Sequence, residues 1–413
     1  MKYDFDQIID RHGLDAIAVD PDPESPYRKD IELKHGITDH IPMWIADMNF
    51  ATCPDIQGAI AKRLEHPCFG YFQIRDEYYN AVINWHKTRK GVDDITKENI
   101  GYENGVLGGV ASVLKTVLPE GGKVLVHSPT YVGFTHVLDG VGYETIHSPL
   151  VRDENGIWRM DFEDMEARIK EHNLKIAIFC SPHNPTGRVW EREEIEKAMA
   201  LFAKHDMTVI SDEIWSDLIL GDNKHIPTQT VSEDAKQRTV AMYAPSKTFN
   251  LAGLIGSYHI CYNKEFGKKL QKVEDNTFYN SINVLSMYAL MGGYSKNGEE
   301  WLKQLLLAID ANVDYACKFI AEKFKGVRVS RPQGTYMLFI DCSEFLKDHN
   351  MTTQELLKKG WEAGVDWQDG EAFFLSGAIR INLALPMAKL KEAFDRLDKY
   401  VLTTRDLDII RSF

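Results

Sequence analysis

The chain has 413 residues, 44% of them hydrophobic and 26% charged, and its formal net charge at pH 7 is −13. The length predicts two domains, and the composition is typical of a globular protein rather than a disordered one. The acidic balance and the lack of a lysine or arginine run argue against a nucleic-acid partner, because phosphate binding needs a basic face.

The N-terminal stretch, MKYDFDQIIDRHG, is acidic and lacks the apolar core of a signal peptide, and no apolar run approaches the length of a membrane span. The six cysteines are scattered without a Cys-x-x-Cys pair, so we expect reduced thiols and no metal site. Together these features predict a cytoplasmic protein that does not contact a membrane.

Residues 1–45 are mostly polar and carry three closely spaced prolines, Pro21, Pro23 and Pro26, which predicts an extended N-terminal arm. Helices are predicted next over residues 53–65, with Thr52 as the cap, and over residues 77–89. Tyr71 lies in an aromatic stretch between these helices, and from the residues alone it is expected to pack in the core.

A glycine-rich turn, NIGYENGVLGG over residues 99–109, precedes a predicted helix at residues 110–118. Unpaired backbone amides and the helix dipole at such a turn make a site for a phosphate dianion. A strand over residues 123–127 ends shortly before Tyr131, whose flat face suits a heterocycle, although an ordinary loop tyrosine is the alternative. A further strand and helix are predicted over residues 142–150 and 161–172.

Three predicted strands each carry a polar residue at or just beyond the carboxyl end. The strands cover residues 175–180, 207–210 and 239–243, and the polar residues are Asn184, Asp212 and Lys247. A helical pattern over residues 191–204 separates the first two strands, and this alternation predicts a parallel sheet whose carboxyl ends share one edge. Ligands of open α/β sheets bind at that edge.

Lys247 lies within APSKTFNLAGLIG, residues 244–256. A lysine desolvated among small residues has a lowered pKa and can attack an aldehyde, which makes Lys247 a candidate Schiff-base lysine. A solvated surface lysine is the alternative, and the Ser-Lys pair taken alone favours it.

A long helix is predicted over residues 282–323, and an α+β region follows with elements over residues 326–330, 334–341, 353–363, 378–383 and 389–402. Arg380 lies in the apolar strand AIRINL and should be paired there, since an unpaired buried charge is costly. Asp341 and Glu371 are the candidates for a structural partner.

Four strings occur in order along the chain: MWIADMNF, SPHNPTGRVW, DEIWSDL and APSKTFNLAGLIGSY, which begin at Met43, Ser181, Asp212 and Ala244. Together they resemble the fold type I pyridoxal-phosphate enzymes of the class I/II aminotransferase superfamily. Within it they are similar to the MalY/PatB-type cystathionine β-lyases, and the resemblance runs from about residue 5 to residue 400.

The resemblance implies an α/β fold, with a mostly parallel seven-stranded sheet in a large domain and a smaller α+β domain. It implies an arm over residues 1–45 that joins the small domain, a large cofactor-binding domain over residues 46–285 and a C-terminal small domain over residues 286–413. It also implies pyridoxal 5'-phosphate as the cofactor, an amino-acid substrate and a homodimer with shared active sites.

Roles for individual residues follow from the same resemblance. Lys247 is implied as the Schiff-base lysine and general base, and Asp212 as the partner of the pyridine nitrogen. Asn184 is implied to bond the ring 3-oxygen, and Tyr131 to stack on the ring. The residues implied to hold the phosphate are Gly105, Val106, Leu107, Ser246 and, across the subunit interface, Tyr71.

Two residues are implied to face the substrate: Arg380, as a clamp for the α-carboxylate, and Ala46, in the first string. Two positions depart from the superfamily pattern. Trp215 replaces a tyrosine that bonds the ring 3-oxygen, and its N–H can only donate. Ile255 replaces an arginine that many members use for the phosphate, and both departures argue against a strict aspartate aminotransferase.

The constellation indicates the cofactor without choosing the reaction, because transamination, β-elimination and racemisation use the same residues. The branch implies a lyase that cleaves the Cβ–sulfur bond of L-cystathionine or a related cysteine conjugate, giving a thiol, pyruvate and ammonia. An aminotransferase for an uncharged or aromatic amino acid is the alternative. Some members of the branch are also regulatory partners of transcription factors, so a protein partner is a further expectation.

Overall fold

The structure is a computed structural model that describes residues 2–20, 31–277 and 281–403. The three prolines from which the extended arm was predicted, Pro21, Pro23 and Pro26, lie outside the described residues. Within the described ranges, no helix has both the length and the apolar character that crossing a membrane requires.

The strands and helices follow one another in the predicted α/β manner. The strands are β1 (Ile41–Pro42), β2 (Ile100–Glu103), β3 (Gly122–Ser128), β4 (Tyr143–Arg152), β5 (Trp158–Met160), β6 (Ile176–Cys180), β7 (Thr208–Asp212), β8 (Thr239–Tyr243), β9 (Ser257–Cys261), β10 (Arg328–Val329), β11 (Met337–Asp341), β12 (Val365–Asp366), β13 (Gln368–Asp369) and β14 (Ala378–Asn382). The helices are α1 (Pro54–Leu64), α2 (Asp76–Lys90), α3 (Val106–Val117), α4 (Val132–Gly140), α5 (Phe162–His172), α6 (Arg192–Lys204), α7 (Glu233–Arg238), α8 (Pro245–Thr248), α9 (Lys264–Thr277), α10 (Val284–Gly293), α11 (Lys296–Lys323), α12 (Ser343–Asp348), α13 (Thr353–Glu362) and α14 (Met387–Tyr400).

The described residues form two compact units. The first comprises the described parts of residues 1–3, 52–306 and 333–335, and the second comprises those of residues 4–51, 307–332 and 336–413. The chain passes from one unit to the other chiefly between residues 51 and 52 and between residues 306 and 307. The sequence predicted domain boundaries between residues 45 and 46 and between residues 285 and 286. The second change lies inside α11 rather than before it.

The first unit is built on a sheet with the strand order β2-β9-β8-β7-β6-β3-β4-β5. The run β8-β7-β6-β3-β4 is parallel, and β9 is antiparallel to both of its neighbours. Every residue of β6 and β8 is buried, as expected for strands covered on both faces. The predicted mostly parallel sheet is therefore confirmed.

The predicted number of seven strands is wrong, because the sheet contains an eighth, the three-residue β5. It pairs antiparallel with the last residues of β4. The connecting turn is closed by Asp153, which accepts hydrogen bonds from the backbone N–H groups of Asn155 and Ile157 and, at its carbonyl, from that of Gly156. The sequence DENG marks this turn, but a strand of three residues is too short to show a periodic pattern.

Helix α3 supplies a large part of the core of the first unit. Its apolar residues pack with those of the parallel strands and of α4, and the cluster includes Val106, Val110, Val113, Leu114, Val126, Phe134, Ile178, Ile210 and Met242. This packing fixes the start of α3 near the carboxyl ends of the strands, where ligands of such sheets bind.

The cap predicted for α1 is wrong. The helix begins after Cys53 and has no side-chain cap, and the Thr52 hydroxyl donates instead to the backbone oxygen of Phe249 at 2.7 Å. Pro54 takes the first helical position, where a missing N–H leaves no donor unsatisfied. Thr52 therefore ties α1 to the segment that follows α8.

The long helix predicted over residues 282–323 is two helices, α10 and α11. Two glycines, Gly292 and Gly293, end α10. The Ser295 hydroxyl donates to the backbone oxygen of Gly292 at 2.8 Å and accepts from the N–H of Gly298 at 3.1 Å, which satisfies groups that the break leaves open. The apolar pattern alone does not reveal this break.

The second unit has the predicted α+β character. An antiparallel sheet in the order β10-β11-β14-β13 carries Arg380 on β14, opposite Phe339 on β11 and Gln368 on β13. A short parallel pair, β1 with β12, lies in the same unit.

Candidate active site

Asp212 ends β7, and its position follows directly from the parallel register. Cys180 of β6, Asp212 and Met242 of β8 are paired across the sheet. Asp212 is 4% exposed, and its Oδ1 accepts the N–H of Ile214 at 3.0 Å. Burial raises the pKa of this carboxyl to about 7, and the charge of Lys247 opposes the rise.

Lys247 lies in α8, a single helical turn directly after β8. Its Nζ is 5.7 Å from the ring centroid of Trp215, which is itself buried. The charge of Lys247 lowers the pKa of Asp212 against the effect of burial. Ser246 precedes Lys247 in the same turn, and its carbonyl accepts the N–H of Leu251 at 2.9 Å.

Asn184 lies in the turn after β6 and is buried. The turn is held by backbone hydrogen bonds from His183 to Arg188 and from Gly187 to His183, both 2.8 Å long. The N–H of Ser181 donates to the backbone oxygen of Asp212 at 2.9 Å, which joins this turn to the end of β7. The structure therefore brings Asn184, Asp212 and Lys247 to the ends of three adjacent strands, as predicted.

Gly105 is the residue before α3 and has a φ of 81° and a ψ of 152°, a backbone conformation that other residues rarely adopt. Val106 and Leu107 follow as the first residues of the helix, so their N–H groups belong to its unbonded first turn. A helix N-terminus of this kind can hold an anion. The sequence predicted the helix over residues 110–118, but α3 begins four residues earlier, so Val106 and Leu107 belong to its first turn rather than to the preceding loop.

The ring of Tyr131 lies over Gly133. A Cβ atom placed on Gly133 would collide with the Tyr131 ring and would come within 2.9 Å of Leu107 Cδ1. The ring also meets Phe134 edge-to-face, with the centroids 5.4 Å apart. Gly133 therefore makes room for an aromatic face beside the N-terminus of α3.

Two further residues singled out from the sequence, Tyr71 and Ile255, are exposed. Tyr71 is fully exposed, at 112%, so the expectation from the residues alone, a packed core aromatic, is wrong for the single chain. Ile255 is more than half exposed and has a φ of 44°, which is unusual for a β-branched residue. Its carbonyl accepts the hydroxyl of Tyr102 at 2.9 Å.

Asp217 is a buried acid that the sequence reasoning did not single out. It accepts hydrogen bonds from Trp85 Nε1 at 3.1 Å, Lys90 Nζ at 2.8 Å and the Thr248 hydroxyl at 3.1 Å. Burial opposes ionisation, but the charges of Lys90 and Arg89 hold its pKa well below the usual range. Because Thr248 follows Lys247 directly, this network anchors the turn that carries the lysine to α2.

Arg380, in the second unit, is buried in β14. It donates from Nη2 to Gln368 Oε1 at 2.6 Å and to the Trp44 carbonyl at 3.1 Å, and it lies 4.5 Å from the ring centroid of Phe373. Both of these acceptors are neutral oxygens, and pairing of Arg380 with the Asp341 or Glu371 carboxylate stays a prediction. The Ala46 carbonyl, in the same unit, accepts the Tyr336 hydroxyl at 3.0 Å. The roles of Arg380 and Ala46 toward a substrate stay predictions.

These groups fit pyridoxal 5'-phosphate. Asp212 is a buried carboxylate whose charge a cationic ring nitrogen would stabilise, and the helix N-terminus that follows Gly105 would hold a phosphate. The ring of Tyr131 offers a flat face. The fold and the residues at its strand ends define the class of fold type I pyridoxal-phosphate-dependent enzymes.

Comparison with known proteins gives the family. The chain belongs to the aminotransferase class I and II family, whose sequence model matches residues 39–397. Cystathionine beta-lyase PatB of Bacillus subtilis (strain 168) is 32% identical over 396 residues, which are 95% of this chain and 98% of PatB.

Two solved structures are similar over nearly the whole chain. A PLP-bound candidate aminotransferase from Clostridium difficile 630 has 34% identity and a TM-score of 0.89, covering 97% of this chain and 100% of that one. The PLP-bound C-S lyase from Staphylococcus hominis has 30% identity and a TM-score of 0.87, covering 97% of this chain and 98% of that one.

A first prediction concerns Asp212 in the cofactor-free protein. Its pKa rises from 3.8 to about 7 on folding, so the folded state binds more protons than the unfolded state between these values. The stability that Asp212 contributes therefore falls as the pH rises from about 4 to about 7. Asparagine cannot ionise, so Asp212→Asn does not lose this stability. We expect the unfolding free energy of Asp212→Asn, minus that of the parent, to increase by about 2–4 kcal/mol when the pH is raised from about 4.5 to about 8.

Urea unfolding of both cofactor-free proteins at the two pH values measures this difference. Asp76→Asn, at an exposed ion pair with Lys97, is the control and should show no comparable change. A difference between parent and Asp212→Asn that does not vary with pH would contradict the elevated pKa.

A second prediction concerns the Asp217 network. We expect Asp217→Asn to lower the free energy of unfolding by about 3 kcal/mol, because the buried Lys90 ammonium loses its charged partner. The exposed Asp76→Asn change should cost less than about 1 kcal/mol. Equal effects of the two changes in urea unfolding would show that Asp217 does not anchor the α8 turn.

Proposed function

We propose that the protein is a pyridoxal-phosphate-dependent carbon–sulfur β-lyase that acts on L-cystathionine or a related cysteine conjugate. The products are a thiol, pyruvate and ammonia, with one water molecule consumed. The observation that carries this proposal is the end-to-end similarity to PatB, named a cystathionine beta-lyase, in a fold where Asn184, Asp212 and Lys247 lie at adjacent strand ends. The similarity to the C-S lyase from Staphylococcus hominis supports the same reaction.

Lys247 is the proposed general base. When bound, pyridoxal 5'-phosphate supplies an electron sink for negative charge that develops at the substrate Cα. Lys247 Nζ, as the free amine, takes the Cα proton, and the electron pair left behind forms a second bond to Cβ as the Cβ–S bond breaks. The sulfur leaves as a thiolate and takes up a proton to become the thiol. The buried ring of Trp215 lies beside this amine and keeps water from that side of it.

Asp212 and Asn184 are proposed to orient the ring. The ionised carboxylate of Asp212 holds a proton on the ring nitrogen, and Asn184 donates to the ring 3-oxygen. Both side chains are buried, so their hydrogen bonds act with little competition from water. Tyr131 packs its face against the ring.

The phosphate is proposed to bind at the start of α3. The contributing groups are the backbone N–H groups of Val106 and Leu107, the Ser246 hydroxyl and Tyr71 of a second subunit. Gly105 contributes the backbone conformation that opens the turn, since its own N–H donates to the Glu103 backbone oxygen. The exposure of Tyr71 in the single chain supports a role between subunits. We therefore propose a homodimer with shared active sites. We also propose that the protein is located in the cytoplasm.

Arg380 is proposed to bind the substrate α-carboxylate, since its guanidinium presents several donors and can hold both oxygens. Gln368 and the Trp44 carbonyl hold the group in one orientation. Ala46 is proposed to line the substrate side, where its small side chain leaves space.

The alternative function is an aminotransferase for an uncharged or aromatic amino acid. The similarity to the candidate aminotransferase from Clostridium difficile 630 favours it, because that structure matches this chain over almost its full length. Both functions use the same lysine, so the fate of the substrate must be measured directly.

The reaction is decided by supplying L-cystathionine to the holoenzyme without a 2-oxoacid. We expect thiol and pyruvate to accumulate in equal amounts over many turnovers, because β-elimination regenerates the starting enzyme. Thiol titration and a coupled pyruvate assay measure the two products. One equivalent of reaction that stalls until a 2-oxoacid is added would establish the aminotransferase instead.

Lys247→Ala is the control for that experiment. We expect its turnover to fall by at least about 10²–10⁴-fold, because the general base is lost. Its urea unfolding should stay close to that of the cofactor-free parent. Full activity in this variant would overturn the assignment of Lys247.

A further prediction concerns Arg380. Arg380→Lys keeps the charge and loses the planar fork, so we expect a rise in KM of about 10-fold or more with a smaller change in kcat. Arg380→Ala should weaken substrate binding by about 2–5 kcal/mol. The exposed Arg328→Ala change is the matched control, and an unchanged KM in both Arg380 variants would exclude the clamp role.

A further inference from the structure

Three buried side chains outside the proposed active site face one another in the first unit. Glu103 ends β2, His259 lies in the middle of β9 and Glu274 lies on α9. Glu103 and Glu274 are fully buried and His259 is 6% exposed. We call these residues the Glu103 cluster. The mechanism proposed above does not use any of them.

The donor atoms of the Glu103 cluster converge on one point. His259 Nδ1 is 2.9 Å from Glu103 Oε1 and 3.8 Å from Glu274 Oε1, and one donor atom from each residue lies within 4.8 Å of the others. A tetrahedral ion with bonds of about 2.1 Å separates its ligands by about 3.4 Å. The two separations lie on either side of that value.

Three of the four carboxyl oxygens of the Glu103 cluster lack a donor among the described residues. Glu103 Oε2 and both carboxyl oxygens of Glu274 are buried, and they receive no hydrogen bond from an N–H or hydroxyl group of the described residues. Burial raises the pKa of Glu103 to about 7, and burial together with the neighbouring Glu103 carboxyl raises that of Glu274 to about 8. Two buried carboxyl groups at this distance must share either protons or a cation.

The imidazole is held in place for such a role. Burial lowers the pKa of His259, and a neutral imidazole offers one ring nitrogen to a ligand. Gly101, opposite His259 on β2, leaves space for the ring, because a Cβ atom there would collide with it. The ring position is thus fixed by the sheet.

We propose that Glu103, His259 and Glu274 bind one divalent transition-metal ion, for which Zn²⁺ and Mn²⁺ are the appropriate probes. Two carboxylates balance the 2+ charge, and an oxygen-nitrogen donor set suits both ions. The sequence predicted no metal site, because these ligands are 156 and 15 residues apart and follow no metal-binding spacing.

The ion has a structural consequence at the start of α3. The backbone oxygen of Glu103 accepts the N–H of Gly105 at 3.0 Å and the Ser257 hydroxyl at 2.9 Å. An ion bound to the Glu103 side chain therefore ties α9 and β9 to the strand end that precedes the anion-binding turn.

The test is metal binding by the purified holoenzyme after chelator treatment and dialysis. We expect about one equivalent of Zn²⁺ or Mn²⁺ per chain, measured by plasma mass spectrometry, and a rise in Tm of at least about 2 °C when the ion is added. Glu274→Gln should weaken binding at least 10-fold. Glu265→Gln, an exposed change on the same helix, should bind the ion like the parent.

A crystal of the metal-loaded holoenzyme supplies a measurement that does not depend on any variant. An anomalous difference peak between the two carboxyl groups and His259 is the expected result. Absence of stoichiometric metal, or equal binding by the parent and Glu274→Gln, would overturn the proposal and leave the two carboxyl groups sharing a proton. If Glu274→Gln does not fold, the anomalous peak alone decides between these outcomes.

Discussion

The chemistry of this fold depends on a carboxylate charge that is removed from water. Asp212 ends a central strand, is 4% exposed and receives a hydrogen bond from the N–H of Ile214. Its charge is therefore unfavourable until a cation faces it. The surrounding structure cannot relieve this cost by moving, because the register from Cys180 to Met242 and the core beneath α3 fix the end of β7. A cofactor with a cationic ring would stabilise the Asp212 carboxylate, whose charge the surrounding protein stabilises only in part.

The buried acids of the first unit differ in the hydrogen-bond donors and cations around them. This difference separates the acids that stabilise the fold from those that are proposed to bind a cofactor or an ion. Asp217 has an ammonium, an indole and a hydroxyl as donors, and Glu213 accepts from Tyr243, His225 and the Thr228 backbone. Both are low in pKa and hold neighbouring segments together. Asp212 and Glu274 instead have raised pKa values. Binding of a cation or a proton is most favourable at an acid whose pKa is raised by burial.

Much of the site could be predicted from sequence, because strand-end residues in a parallel sheet meet at one edge whatever the side-chain details. The placement of Asn184, Asp212 and Lys247 at strand ends needed only the alternation of strands and helices, whereas their roles were implied by the family resemblance. Tertiary contacts decided the rest. Thr52 bonds to a distant carbonyl instead of capping its helix, and Ser295 closes a break that the apolar pattern does not show. The donors of Asp217 come from α2 and α8, which no local spacing connects. The roles of Arg380, Ala46 and Tyr71 depend on substrate and subunit, so they stay predictions.

The exposure of Tyr71 has a consequence for genetics. Its side chain buries no area in the single chain, so folding of that chain does not maintain its identity. In the shared site proposed here, loss of Tyr71 harms the neighbouring subunit's site, whereas loss of Lys247 harms the subunit's own. A mixed dimer of the two defective chains then contains one site with both residues intact. Two alleles that are each inactive alone would complement each other when expressed in the same cell.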